Sequence, residues 1–199
     1  MPKTPERCQE IREQMRNKIL HSSMLYFARN GFAGTKISDL SKHIGIGQGT
    51  LYVYFDSKED LFQEIFTQIN TSGEIKDLKL LARLPIPAKQ KIRRLSENII
   101  QKLAEDENYA AKVVLNTQMM FEQNNFISAD TTYISEIYQA TEKIIRQGQK
   151  EKSVVEGTPV KLADYYWSVV YLYALKRLFT SEYETISAHD LARILLRDM

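Results

Sequence analysis

The sequence predicts an all-α fold. Apolar residues recur at three- and four-residue spacing through nearly every segment, no alternating strand pattern is bounded by hairpin turns, and the breaks carry helix-capping signals. With 43% hydrophobic and 26% charged residues in 199, the chain suits one or two small globular domains and not a disordered or fibrous polymer.

A first long helix is predicted from about Glu10 to Asn30, with Met15, Ile19, Ser23, Tyr26 and Phe27 along one stripe and Gly31 as a left-handed cap. Phe32 turns back onto the core. Thr35 to Ile44 forms a short helix with Ile37, Leu40 and Ile44 inward, ended by Gly45. A second short helix, Gln48 to Phe55, turns Leu51 and Phe55 inward, and Ser57-Lys58-Glu59-Asp60 is a capping box that opens the next, with Leu61, Phe62, Ile65, Phe66 and Ile69. Beyond Ser72-Gly73 a helical body follows, interrupted by Pro85-Ile86-Pro87, with helices near 88–105, 108–124 and 131–150. Thr158 as cap and Pro159 at the first helical position start a helix to about Thr180, and Ser187 caps a last one from 187 to 197.

Composition excludes several classes. The longest nearly apolar stretch, Tyr165 to Leu175, is about half of the roughly 20 residues of a membrane-spanning helix, and the first six residues lack the apolar core of a signal peptide. A soluble cytoplasmic protein is expected. Cys8 is the single cysteine, and His21, His43 and His189 show no metal-ligand spacing, so no structural zinc, disulfide or cofactor is expected. The formal net charge of +2 hides an asymmetry: residues 1–58 hold nine Lys/Arg against five acids, and Asp39 is the only acid between Met15 and Phe55. A basic N-terminal unit suits a polyanionic partner, with an ordinary solvated face as the competing reading.

Two short helices joined by a tight glycine turn form a helix-turn-helix arrangement. Ser41 is small enough for the second helix to approach, Gly45 supplies the positive φ, and Ile46 plugs the turn. The second helix of such a unit lies in the major groove, where Gln48, Thr50, Tyr52, Val53 and Tyr54 would face outward while Leu51 and Phe55 hold it down. The residues Gly31-Phe32, Thr35-Lys36-Ile37-Ser38-Asp39-Leu40 and the run from Gly45-Ile46-Gly47-Gln48-Gly49-Thr50-Leu51-Tyr52 through Val53-Tyr54-Phe55-Asp56-Ser57-Lys58-Glu59-Asp60-Leu61 resemble the DNA-binding domain of TetR-family transcriptional regulators. The match covers about 30 residues with many fixed types at fixed spacing; the remaining two-thirds is similar only in length and helical order.

The resemblance implies a homodimer whose N-terminal domains enter the major grooves of a pseudo-palindromic operator, and a small-molecule effector in the C-terminal domain that changes the spacing of the reading heads. It places the DNA-binding domain at 1–56 and the helical effector-binding and dimerisation domain at 57–199. By the same resemblance Thr35 and Lys36 would meet phosphate, Gln48, Thr50 and Tyr54 bases or backbone, Gly49 would allow close approach, and Tyr52 and Lys58 would reach phosphate. Gly47 departs from the family, which usually has serine there; glycine is an acceptable N-cap but brings no hydroxyl. Arg12, Arg16 and Lys18 form a basic arm whose alternative role is solubility.

No catalytic residue is assigned. Gly45-x-Gly47-x-Gly49 is preceded by no strand and followed by no Gly-Lys-Ser/Thr, so it is not a nucleotide loop, and there is no nucleophile elbow. Helix 159–180 is apolar or aromatic on almost all sides, which predicts one face for its own domain and another for a second chain, joined by Leu191, Ile194 and Leu195 of helix 187–197 in a four-helix interface; a central core helix in a monomer is the alternative. For the effector, Asn116, Met119 and Met120, with Trp167 and Tyr171 one turn apart on a facing helix, are the candidate contacts. The expected function is ligand-responsive, sequence-specific regulation of transcription, as a repressor released from its operator by a small molecule. The competing class is an all-α enzyme or interaction module with a vestigial DNA-binding unit, which turnover without DNA affinity would favour.

Overall fold

Ten helices stand among the described residues, 5–70, 73–121 and 132–197, of a computed structural model; the first starts earlier than the expected Glu10, at Pro5, and the second later than the expected Thr35, at Ile37. The chain divides into two compact units, Met1–Ile69 and Asn70–Met199. The first holds α1 (Pro5–Asn30), α2 (Ile37–Ile44), α3 (Gln48–Tyr54) and α4 (Lys58–Asn70). The boundary expected at 56/57 therefore differs from the structural one. The long α1 and the short α2 and α3 leave an apolar face open, and α4 closes it: Leu61, Phe62 and Ile65 are buried, and the Phe62 ring lies 5.2 Å from Phe27, edge-on, and 4.6 Å from Phe32. Ser57 caps α4 as its motif predicts, its hydroxyl accepting from Asp60 N at 3.0 Å.

The second unit holds α5 (Gly73–Arg83), α6 (Ala88–Glu105), α7 (Glu107–Phe121), α8 (Thr132–Lys150), α9 (Pro159–Phe179) and α10 (Ala188–Arg193). Leu162, Ala163, Tyr166, Val170, Ala174 and Leu178 of α9 are buried against α6, α7 and α8, and the Tyr166 hydroxyl shares a 2.9 Å hydrogen bond with Ser96. Thr158 does not use its side chain as a cap, although Pro159 starts the helix as expected. The buried ammonium of Lys91 donates to Ala82 O at 2.9 Å and to Gln147 Oε1 at 2.7 Å, so it closes the last turn of α5. Burial lowers its pKa below the ordinary lysine value, the Glu151 carboxylate opposes that, and Lys143 adds to it.

α10 is shorter than its sequence pattern implies. After Arg193 the chain leaves the helix because residues 153–155 capture it: Val155 N donates to Leu195 O at 2.9 Å, Arg197 N donates to Ser153 O at 3.0 Å, and Val154 bridges Leu196. Leu191 and Leu195, expected at a contact with a second chain, are fully buried within their own unit, where α10 packs on α6. That burial leaves α9 with an uncovered apolar face: Tyr165, Leu172 and Phe179, seven residues apart, are all exposed.

Candidate nucleic-acid interface and ligand cavity

The reading head is built by steric constraints that sequence pattern makes explicit. Gly45 sits at φ 78°, the left-handed conformation that lets α2 stop and the chain reverse into α3; its N–H bonds back to Ser41 O at 3.0 Å. Leu51, 0% exposed, and Phe55, 1% exposed, pin α3 to the core. With only seven residues, α3 has no helical stability of its own, so those two side chains fix its direction. The opposite face presents Gln48, Gly49, Tyr52 and Val53, all exposed, with Thr50 exposed and Tyr54 half-buried on the flanks. Val53, 68% exposed, is the most uncovered apolar residue of this face. The sequence reading turned it outward without giving it a contact; its branched methyls suit a thymine methyl in the major groove.

Gly47 occupies the N-cap of α3 in an extended conformation, φ −72°, without a side-chain cap bond. A Cβ at this position would meet only Thr50 Oγ1, at 3.9 Å, so neither space nor backbone demands glycine here.

Three of the expected phosphate-facing basic or hydroxyl groups are placed differently from expectation. Thr35 lies before α2, which starts at Ile37, and is 4% exposed; its hydroxyl donates to Gly31 O at 2.6 Å, closing the α1–α2 turn rather than facing outward. Lys36 is exposed at the α2 N-cap and keeps its expected position. Lys58 donates to Phe32 O at 3.0 Å and to Thr35 O at 3.1 Å, and its ammonium stands 4.3 Å from the centre of the Phe32 ring. It thus ties the start of α4 to the same turn, which leaves at most one of its three donors for phosphate. Arg16 makes a bidentate ion pair with Glu64 and stacks over the Phe55 ring at 4.8 Å, so this member of the basic arm is a brace between α1 and α4.

The double role of Lys58 is open to measurement. Lys58→Ala is expected to lower the stability of the N-terminal unit by about 1–3 kcal/mol in the absence of DNA, from charge-assisted bonds that are partly solvent-screened. The same variant is expected to flatten the salt dependence of DNA binding by about one unit if the third donor meets phosphate. A thermal melt unchanged by the substitution would reduce Lys58 to a surface charge.

In the second unit α5, α6, α7, α8 and α9 enclose a cavity of about 600 Å³, in the ordinary range for small-molecule sites. Its floor is the buried Leu78, Leu95, Ile99 and Tyr109. Asn116, Trp167 and Tyr171, named from the sequence, line it; the side chains of Met119 and Met120 lie outside the described residues. Trp167 is oriented by its indole N–H, which donates to Thr141 Oγ1 at 3.1 Å, and by an edge-on contact with Tyr166. Sequence pattern missed the polar groups of the wall. Glu74 Oε1 stands 3.5 Å from Lys102 Nζ and 3.7 Å from Lys112 Nζ, and Tyr138 bonds to Asp164. Burial first, then the Asp164 charge and hydrogen bond, push the Tyr138 phenol up to about 12, so it remains a donor at neutral pH. These groups come from five helices, and only the i, i+4 spacing of Lys112 and Asn116 was there to be read. No cluster of three or more His, Cys, Asp or Glu that could hold a metal occurs among the described residues, and no described helix is long and apolar enough to cross a membrane.

The first unit carries a helix-turn-helix on an all-helical core, and the second is a helical unit with a largely apolar cavity. Residues 19–65 match the family model described as bacterial regulatory proteins, tetR family. The chain is similar to the fatty acid metabolism regulator protein of Bacillus subtilis (26% identical over 150 residues, 73% of this chain and 74% of that protein). It is also similar to the biofilm operon icaADBC negative transcriptional regulator IcaR of Staphylococcus epidermidis (32% over 50 residues, 25% of this chain and 27% of that protein). The fold is shared with a TetR-family regulator from Agrobacterium tumefaciens at a TM-score of 0.68 and 15% identity, covering 92% of this chain and 94% of that one. The helix-turn-helix of the N-terminal unit is thus similar to that of the tetR family of bacterial regulatory proteins, and the helical fold of the chain is shared with a solved member of that family.

Proposed function

We propose that this protein is a cytoplasmic homodimeric repressor that holds an operator through α3 of each protomer and leaves it when a small molecule occupies the cavity of the C-terminal unit. The observation that carries the DNA half of this reading is the exposed face of α3: Gln48, Gly49, Thr50, Tyr52 and Val53 stand outward while Leu51 is fully buried beneath them. Gln48 supplies a donor and an acceptor for a base edge, and Tyr52, 50% exposed, brings a hydroxyl to the backbone. Tyr54 and the exposed Lys36 flank them. Thr35 and Lys58 act by fixing the turn between α1 and α2, with one Lys58 donor left for phosphate. Asn116, Trp167 and Tyr171 take part in the effector site. The relative named a negative regulator supports the repressor sense, and the relative named for fatty acid metabolism makes acyl-chain metabolism genes the first targets to examine.

The test is fluorescence anisotropy on DNA from immediately upstream of the protein's own gene, against random DNA of equal length, at several salt concentrations. The wild type is expected to favour the upstream fragment. Gln48→Ala is expected to cost about 1–3 kcal/mol on that fragment, with a smaller loss on random DNA. Equal losses on both would remove Gln48 from base reading.

The dimer follows from α9. Tyr165, Leu172 and Phe179 are 58%, 48% and 57% exposed and recur every seven residues, so they fall on one side of the helix, away from the stripe that its own unit buries. A stripe of this kind fits a second copy of itself about a two-fold axis, flanked by the outer face of α10. Leu172→Glu is expected to give a monomer by sedimentation and to weaken operator binding severely, because two half-sites roughly 34–36 Å apart, or a multiple of that, need two linked heads. A variant that remains dimeric would move the interface off α9.

A further inference from the structure

The cavity wall carries information about the head group of its ligand. Lys102 from α6 and Lys112 from α7 converge on one carboxylate oxygen of Glu74 at 3.5 and 3.7 Å, beyond the distance of a well-formed charge-assisted hydrogen bond. The three side chains are a quarter to a third exposed, 22% for Glu74, 32% for Lys102 and 25% for Lys112, so two positive charges face one negative charge in a partly desolvated place. One turn further along α7 from Lys112, the Asn116 carboxamide oxygen is buried without a hydrogen-bond partner in a residue only 6% exposed. A buried acceptor left unpaired costs free energy that a ligand donor would recover. Below these groups the floor is apolar.

Resting on the reading of this cavity as the effector site, we propose that it takes a single-chain amphiphile with one anionic head, a carboxylate. Lys102 and Lys112 bind the head, the apolar floor takes the chain, and Asn116 accepts from a hydroxyl or N–H a few bonds from the head. A cationic amphiphile would meet the two ammoniums. A polyphosphate head is disfavoured too, because the exposed charged groups that line the cavity are Asp77, Asp164 and Arg94, two acids against one base.

The experiment is calorimetric titration of the full-length wild type with dodecanoate, dodecanol, dodecyltrimethylammonium and dodecanoyl-coenzyme A, repeated with Lys102→Gln/Lys112→Gln and Asn116→Leu. Operator anisotropy is measured in parallel. Dodecanoate is expected to bind about tenfold or more tightly than the alcohol and the cation, and the double variant to lose that preference while retaining operator affinity without ligand. 3-Hydroxydodecanoate is expected to bind more tightly than dodecanoate in the wild type and equally in Asn116→Leu. Equal or weaker binding of dodecanoate than of the alcohol, the cation or the coenzyme A ester overturns the proposal, as does an unchanged preference in the double variant. Selective dodecanoate binding that leaves operator anisotropy unchanged upholds the head-group assignment and refutes the ligand-released repressor.

Discussion

Leu51→Ala is expected to abolish operator binding although Leu51 never faces DNA. The side chain is 0% exposed beneath α3, and removing three buried carbons from such a position costs about 2–5 kcal/mol, because the seven-residue helix cannot collapse into the gap without shifting its outward face. A unit the size of Met1–Ile69 has a total stability of only about 3–10 kcal/mol by the usual per-residue scale. The substitution therefore removes much of the stability that holds α3 in register. Anisotropy on the upstream fragment should show the loss, and amide exchange across 37–54 should show that local opening causes it. Leu51→Met, which conserves volume, is expected to cost less than about 1.5 kcal/mol and to retain binding. If the alanine variant bound as tightly as the wild type, α3 would not depend on this contact and the reading head would be organised differently.

Gly148→Ala is expected to be the most damaging single-methyl change in the second unit. A Cβ at Gly148 of α8 would lie 2.2 Å from Val154 Cγ2, 3.0 Å from Val154 Cβ and 3.1 Å from Ala88 Cβ. Val154 cannot step aside: it is 1% exposed, β-branched, and held by the pairing of residues 153–155 with 195–197. Overpacking of this kind costs about 3 kcal/mol, the upper end of the usual range, which corresponds to a fall in Tm of roughly 6–12 °C for a chain of this size. Because the shortest of these contacts is with one Val154 methyl group, Gly148→Ala combined with Val154→Ala should be less destabilised than the sum of the single variants. Additive losses would place the strain elsewhere than at Val154.

Legibility of the chain followed the range of the interactions concerned. The turn at Gly45, the Ser57 cap and the outward set on α3 are local, set by one glycine, one hydroxyl and a helical period, and the structure has them where the pattern put them. The ties that Thr35 and Lys58 make within the N-terminal unit were not legible in the motif. Their positions in the motif suggested phosphate; Thr35 bonds locally to Gly31 O, four residues back, whereas the Phe32 and Thr35 carbonyls come within reach of Lys58 only once α4 folds back on the α1–α2 turn. The cavity was half legible: Asn116, Trp167 and Tyr171 belong to it, whereas Glu74, Lys102 and Lys112 meet from three helices, and charged residues on amphipathic helices ordinarily read as solvated surface.

The sequence by itself determined the helical class, the helix-turn-helix and which residues of α3 face outward, because helical period, capping and steric demands at single residues act over a few positions. Tertiary structure alone decided that α4 completes the N-terminal core, that Leu191 and Leu195 are spent inside their own unit, and that α9 keeps an exposed apolar stripe. An apolar residue declares in sequence that it will be buried but not against what. The partner is chosen by long-range packing, and that choice separates a core face from a docking face and a solvated lysine from one that lines a cavity.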